Sequence, residues 1–188
     1  MQAKTDNHAP HAKLDLRRYM LDKYPEPDGF DVFDACQGSG FLWRTLRNEY
    51  AIKSYWGVDK KKRGGRLMID SVKILGQPGL TANVIDIDTY GEPWEQWLAL
   101  LPNVARRTTV FLTVGFSQMG GGNISNRMRT ALNIPPSTPI TLAAKTRGMG
   151  VRYLMTQVVQ HGILIVEAVE VVSTHLTRYL GLRLEPNQ

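Results

Sequence analysis

The sequence predicts an α/β chain of the Rossmann-like kind, a mostly parallel sheet with helices on both faces and a C-terminal antiparallel hairpin. Three observations predict it. Short β-branched and apolar runs alternate with helical stretches along most of the chain. The first run, Asp31-Val32-Phe33-Asp34-Ala35-Cys36, leads through Gln37-Gly38-Ser39-Gly40 into a helical stretch. The following strand ends on an acid, Asp59. Strand, glycine turn, helix, strand and acid compose a βαβ unit.

The elements follow in order. Polar residues, alanines and Pro10 fill residues 1–12, which predicts a mobile tail ahead of a single domain over 13–188. Leu14, Leu16, Tyr19, Met20 and Tyr24 recur at near-helical spacing and predict an amphipathic helix docking on the sheet edge. Pro25-Glu26-Pro27-Asp28-Gly29 ends it. After the strand at 31–36 comes a helix over 41–51, then a strand over 54–59. Arg66 to Asp70 reads as a third strand, with a helix over 65–75 as the competing reading. A fourth strand spans 83–88, and Trp94, Trp97, Leu98 and Leu101 place a helix over 92–105. Thr108 to Val114 is a β-branched strand. A short helix over 124–133 and a longer one over 141–160 precede strands at 163–172 and 176–184, joined by Ser173-Thr174-His175. The closing hairpin predicts one antiparallel strand at the sheet edge.

Composition narrows the function. With 188 residues, 43% hydrophobic and 21% charged, the chain suits one globular domain. No apolar stretch is long enough for a membrane span, and the N-terminal residues lack a secretory apolar core. One cysteine, Cys36, excludes an internal disulfide framework and a cysteine-rich zinc site, and a reducing, cytoplasmic setting is the simplest expectation. His161 and His175 are too far apart to suggest a metal site. The net charge of +6 and pI near 9.5 favour a polyanionic partner, nucleic acid first. Lys60-Lys61-Lys62-Arg63 with Arg66 is the densest basic run, and it also suits a solvated loop.

The chemistry gathers at the glycine turn. Gly38 and Gly40 let backbone approach a ligand where a Cβ would intrude. Asp59 follows about twenty residues later, the interval at which an acid accepts hydrogen bonds from ribose hydroxyls. A dinucleotide site would want a third glycine, and Gly38-Ser39-Gly40-Phe41-Leu42-Trp43 lacks it. Asp34 ahead of the turn would repel a pyrophosphate and attract a cation. The ligand best matched is therefore a sulfonium nucleoside, S-adenosylmethionine.

Asp34-Ala35-Cys36-Gln37-Gly38-Ser39-Gly40 resembles motif I of the class I S-adenosylmethionine-dependent methyltransferases, with Cys36 replacing a commonly found glycine. The resemblance implies Asp34, Cys36, Gly38 and Gly40 around the methionine moiety, Asp59 on the ribose, and Asp70 with Ser71 near the adenine. Over residues 31–115 the chain is most similar to the tRNA guanine-N2 dimethyltransferases. Its glycine turn runs on into Phe41-Leu42-Trp43-Arg44 as theirs does. Val84-Ile85-Asp86-Ile87-Asp88-Thr89-Tyr90-Gly91-Glu92-Pro93 resembles their catalytic Asp-Pro-Phe-Gly-x-Pro segment, with Thr89 where that family has proline. Those enzymes also carry a further domain absent from this sequence.

Methyl transfer to an exocyclic amine gains from a carboxylate that accepts its N–H. Asp88 is the candidate, with Tyr90 to stack on a base. Either Asp86 or Asp88 can instead cap the helix at Glu92, a reading that falls first on Asp86. Cytosine C5 chemistry needs a nucleophilic cysteine away from the cofactor turn, and Cys36 lies in it. The sequence thus predicts a methyltransferase acting on nucleic acid, RNA favoured. Small-molecule or protein substrates are the alternative, as is a silent Rossmann module.

Overall fold

The computed structural model describes residues 9–61, 67–115, 126–135, 137–138, 150–174 and 177–187. Most of the basic run, the start of the helix expected over 141–160 and the hairpin tip at His175 lie outside them. The elements in chain order are α1 (Pro10–Lys23), β1 (Phe30–Asp34), α2 (Phe41–Leu46), β2 (Ile52–Asp59), β3 (Leu67–Met68), α3 (Ser71–Leu75), β4 (Val84–Ile87) and α4 (Trp94–Leu100). After α4 come a 3₁₀ turn (Leu101–Asn103), β5 (Thr108–Gly115), α5 (Asn126–Ala131), α6 (Gly150–Gln160), β6 (Ile163–Thr174) and β7 (Thr177–Pro186).

These strands form one seven-stranded sheet in the order β3-β2-β1-β4-β5-β7-β6. All pairs are parallel except those of β7, which runs antiparallel to both β5 and β6. The predicted architecture holds with one correction. The antiparallel strand is not at the edge; β6 is. Tyr179 to Leu184 of β7 are buried, as an interior strand requires, whereas Leu164 to Val172 of β6 alternate between exposed and half-buried.

Other boundaries moved for local reasons. Residues 10–12, expected in the tail, form the first turn of α1, with Pro10 near its start where the missing N–H costs nothing. The stretch read as either strand or helix divides: Leu67–Met68 pairs with β2, then the Asp70 side chain accepts the Val72 N–H and starts α3. The helix expected over 92–105 begins only after Pro93, and at Pro102 it tightens into the 3₁₀ turn. No described helix is long and apolar enough to cross a membrane.

The sheet has a core on each face. Phe33, Ile85, Ile87, Val110 and Leu112 pack with Trp97, Leu75 and Tyr153 on one side; Val32, Val84 and Phe111 pack with Leu16, Met20, Trp43 and Leu46 on the other. Strand alternation produces this division. It also sends Asp34 and Asp86 to the α1 and α2 face, one residue period beyond Val32 and Val84. Helix α1 lies across that face rather than along the edge. Gly181 of β7 makes this possible: a Cβ there would stand 2.9 Å from Met20 Cγ and 3.1 Å from Leu16 Cδ1.

Candidate functional site

The carboxyl ends of β1, β2 and β4 converge beneath α1 and α2. After β1 the chain turns through Gly38 (φ +51°) and Gly40 (φ +68°), both in the left-handed region that favours glycine. Gly40 stands at the cap position of α2, where its carbonyl accepts the Arg44 N–H. Among the described residues a Cβ at Gly38 would meet nothing closer than its own loop carbonyl, Cys36 O, at 3.7 Å, so none of them fills that space. Asp59, closing β2, accepts the Gly38 N–H at 3.0 Å on one oxygen and the Lys61 N–H at 2.8 Å on the other. The two sequence signals, glycine turn and distant acid, are therefore in direct contact.

Three carboxylates occupy the α1 and α2 face. Asp86, at 1% exposure, receives both Arg17 Nη2 at 2.7 Å and Arg17 Nε at 2.9 Å, and the Trp43 indole N–H at 2.8 Å. Burial works against the Arg17 charge, but Asp86 and Asp88 more than restore it and leave the guanidinium more basic than usual. Asp88, just past β4, receives the Lys13 ammonium on both oxygens and the Thr113 hydroxyl on Oδ1. Lys13 also lies 5.1 Å from the Tyr179 ring centroid. Lys13 and Arg17, one helical turn apart on α1, thus each meet one acid of the β4 end.

Asp34 differs. Its Oδ2 accepts the Tyr55 hydroxyl at 2.9 Å and its Oδ1 the Cys36 N–H at 3.3 Å. Among the described residues no lysine or arginine forms an ion pair with it. Burial, reinforced by Asp86, pushes its carboxyl well above the usual range. A buried carboxylate that no described cation approaches within ion-pair distance is costly to ionise, and a cationic ligand would offset that cost.

The sequence itself matches no family model and no curated protein. Solved structures do match. Trm1 from Pyrococcus horikoshii, determined with S-adenosyl-L-methionine, superposes with a TM-score of 0.67 at 15% identity, covering 96% of this chain and 57% of that one. TYW2 from M. jannaschii, determined with AdoMet, gives 0.58 at 9% identity, with 98% and 80% covered. The magnesium protoporphyrin IX methyltransferase of Synechocystis PCC 6803, with bound SAH, gives 0.53 at 15%, with 93% and 83% covered. The chain shares its fold with these methyltransferase-type structures. The chain spans little more than half of the Pyrococcus protein's length.

Within the methyltransferase fold, Asp34, Cys36, Gly38, Gly40 and Asp59 stand together at the β1 and β2 ends, as read from the sequence. Cys36 is half-buried, and burial, with Asp34 beside it, pushes its thiol well up. Asp70 commits one oxygen to the α3 cap, and the other lies 3.3 Å from Lys60 Nζ. Ser71 is buried behind it. Tyr90 projects at 79% exposure from the loop after β4. That loop is anchored to β5, because Gly91 O accepts the Gly115 N–H at 2.8 Å. The capping reading of Asp86 and Asp88 is overturned: α4 has Pro93 at its cap position, no side chain caps it, and both acids instead bind cations of α1.

Sequence reasoning missed Lys13, Arg17, Trp43, Tyr55 and Thr113. One signal was available. Lys13, Arg17 and Met20 fall at helical spacing on the face that Leu16 marks as buried, so two cations were being carried into the core and needed anions there.

Proposed function

We propose that this chain is an S-adenosylmethionine-dependent methyltransferase whose acceptor is nucleic acid, RNA favoured, at an exocyclic amine of a base. The observation that carries the cofactor reading is Asp34: a buried carboxylate met, among the described residues, by neutral donors, beneath a turn whose two glycines leave the backbone bare. A sulfonium nucleoside with an ammonium group meets that requirement, and a pyrophosphate does not. The sequence resemblance over residues 31–115 and the likeness to cofactor-bound methyltransferases point the same way.

S-adenosylmethionine supplies an electrophilic methyl group on a cationic sulfur. This chain's residues do the rest. Asp34 receives the ammonium, and Gly38 and Gly40 let the loop backbone lie against the methionine moiety beside Cys36. Asp59, whose carboxylate oxygens can each accept more than one hydrogen bond, holds the turn and accepts the ribose hydroxyls. Asp70 and Ser71 border the adenine. With the cofactor bound, Asp88 would accept an N–H of the acceptor amine, align its lone pair and take its proton as the nitrogen–methyl bond forms and the methyl–sulfur bond breaks, the sulfur leaving as a neutral thioether. Tyr90, exposed beside it, stacks on the acceptor base. We read the chain from α1 onward as one such domain.

RNA is favoured by the net charge of +6, by the exposed Lys60 and Lys61 directly beyond Asp59, and by the resemblance to tRNA-modifying enzymes. The test is transfer of radiolabelled methyl from the cofactor to pools of RNA, DNA and protein. Label in an exocyclic amine of RNA supports the reading; label in protein or DNA alone moves the acceptor, and label in none of the pools argues against macromolecular substrates.

A further inference from the structure

We propose that Tyr55 is a positioning residue for the cofactor: its hydroxyl holds the Asp34 carboxylate in place to receive the ammonium group of the methionine moiety. The inference rests on the cofactor reading above and adds a residue outside every motif that suggested it.

The geometry begins with pairing. Asp34 lies opposite Gly57 in the β1–β2 register, and Tyr55 lies opposite Val32, so the tyrosine projects on the same face one residue period earlier. Its hydroxyl reaches Asp34 Oδ2 at 2.9 Å, whereas the loop's own amide, Cys36 N, is 3.3 Å from Oδ1. The phenol therefore supplies the shorter of the two bonds. Gly57 makes the reach possible. A Cβ there would stand 2.8 Å from the Tyr55 oxygen and 2.7 Å from Gln37 Cδ. The strand lacks a side chain at the one place where the phenol and Gln37 must pass. Above the ring, the Arg47 guanidinium carbon lies 4.3 Å from its centroid.

The chemistry of the donors sharpens the point. Asp86 and Asp88 are met by Arg17 and Lys13, which cancel their charge as well as fixing them. Asp34 is fixed by a phenol and an amide, which orient the carboxylate and leave its charge for something else. A purely structural acid in this position would gain more from a third cation. Burial and the facing Asp34 also push the Tyr55 phenol up, which keeps it in the protonated, donating form at neutral pH.

The experiment compares two ligands by calorimetry, S-adenosylmethionine and 5′-methylthioadenosine, which keeps the nucleoside and sulfur but has no amino-acid end. Tyr55→Phe should weaken S-adenosylmethionine about tenfold to a hundredfold, as one hydrogen bond to a charged group implies. It should leave methylthioadenosine within about twofold. In the Asp34→Asn background, Tyr55→Phe should have no further effect on S-adenosylmethionine. Equal weakening of both ligands would make Tyr55 a packing residue and overturn the proposal, as would no weakening of either. Persistence of the Tyr55→Phe effect in the Asp34→Asn background would overturn it too. If the unaltered protein binds neither ligand, the cofactor reading itself falls, and this inference falls with it.

Discussion

The Lys13 ammonium sits 2.7 Å from Oδ1 and 2.6 Å from Oδ2 of Asp88, the carboxylate proposed to receive the acceptor's amine. On that proposal the helix cation holds a nitrogen where the acceptor would place one, so the acceptor would displace Lys13 or share Asp88 with it. Replacing Lys13 by Met should lower the apparent KM for total RNA several-fold and leave cofactor affinity unchanged, while Lys13→Arg, which keeps the ion pair, should not. Steady-state methyl transfer with each variant checks this; an unchanged KM in Lys13→Met would show that the ammonium does not compete.

Asp88→Asn should keep cofactor binding and lose methyl transfer. The amide keeps one acceptor oxygen but cannot take a proton. General-base contributions of about 10²–10⁴-fold set the expected loss. Single-turnover transfer with saturating cofactor measures it, and full turnover would remove Asp88 from the mechanism.

Asp34→Asn should stabilise the free protein at neutral pH while weakening the cofactor. The folded-state pKa of Asp34 is raised by burial, so its ionisation penalises folding. That penalty is absent below the unfolded carboxylate's range and grows as pH rises above it. The variant's advantage should be largest at neutral pH and shrink as pH falls towards 4. Thermal unfolding of both proteins across pH 4–8 reports this. A variant less stable than the parent at pH 7 would contradict the burial argument.

Arg17→Met should have the opposite character. Asp86 would lose its bidentate partner at 1% exposure and keep, among the described side chains, the Trp43 indole. Removing one member of a buried pair costs about 3–5 kcal/mol, which for a chain of this size lowers Tm on the order of 10 °C. A double variant, Arg17→Met with Asp86→Leu, should recover most of that loss in the same assay.

What the sequence disclosed and what it withheld follow from the range of the interactions. The glycine turn and Asp59 were readable because both belong to one βαβ unit, and the fold brings them into a single hydrogen bond between Gly38 and Asp59. Strand β5 was readable because Thr108 to Val114 are buried on both faces and therefore β-branched or apolar throughout. The partners of Asp86 and Asp88 were not. They arrive from α1, 69 and 75 residues earlier. Periodicity tells which face of a helix is buried, but it ties no helix cation to a particular strand carboxylate. The capping reading failed for the same reason, since it considered only the neighbouring helix. The order of β6 and β7 was hidden as well. A hairpin's pairing is local, but which of its strands joins β5 depends on Gly181 and its buried neighbours meeting α1.

The most direct measurement is calorimetric titration of the intact chain with S-adenosylmethionine. Binding at one site with a Kd between about 1 μM and 1 mM is expected, abolished or weakened at least tenfold in Asp59→Ala and in Asp34→Asn. No binding by the unaltered chain at millimolar cofactor, or equal binding in both variants, would contradict the proposed cofactor site at Asp34, Gly38 and Asp59.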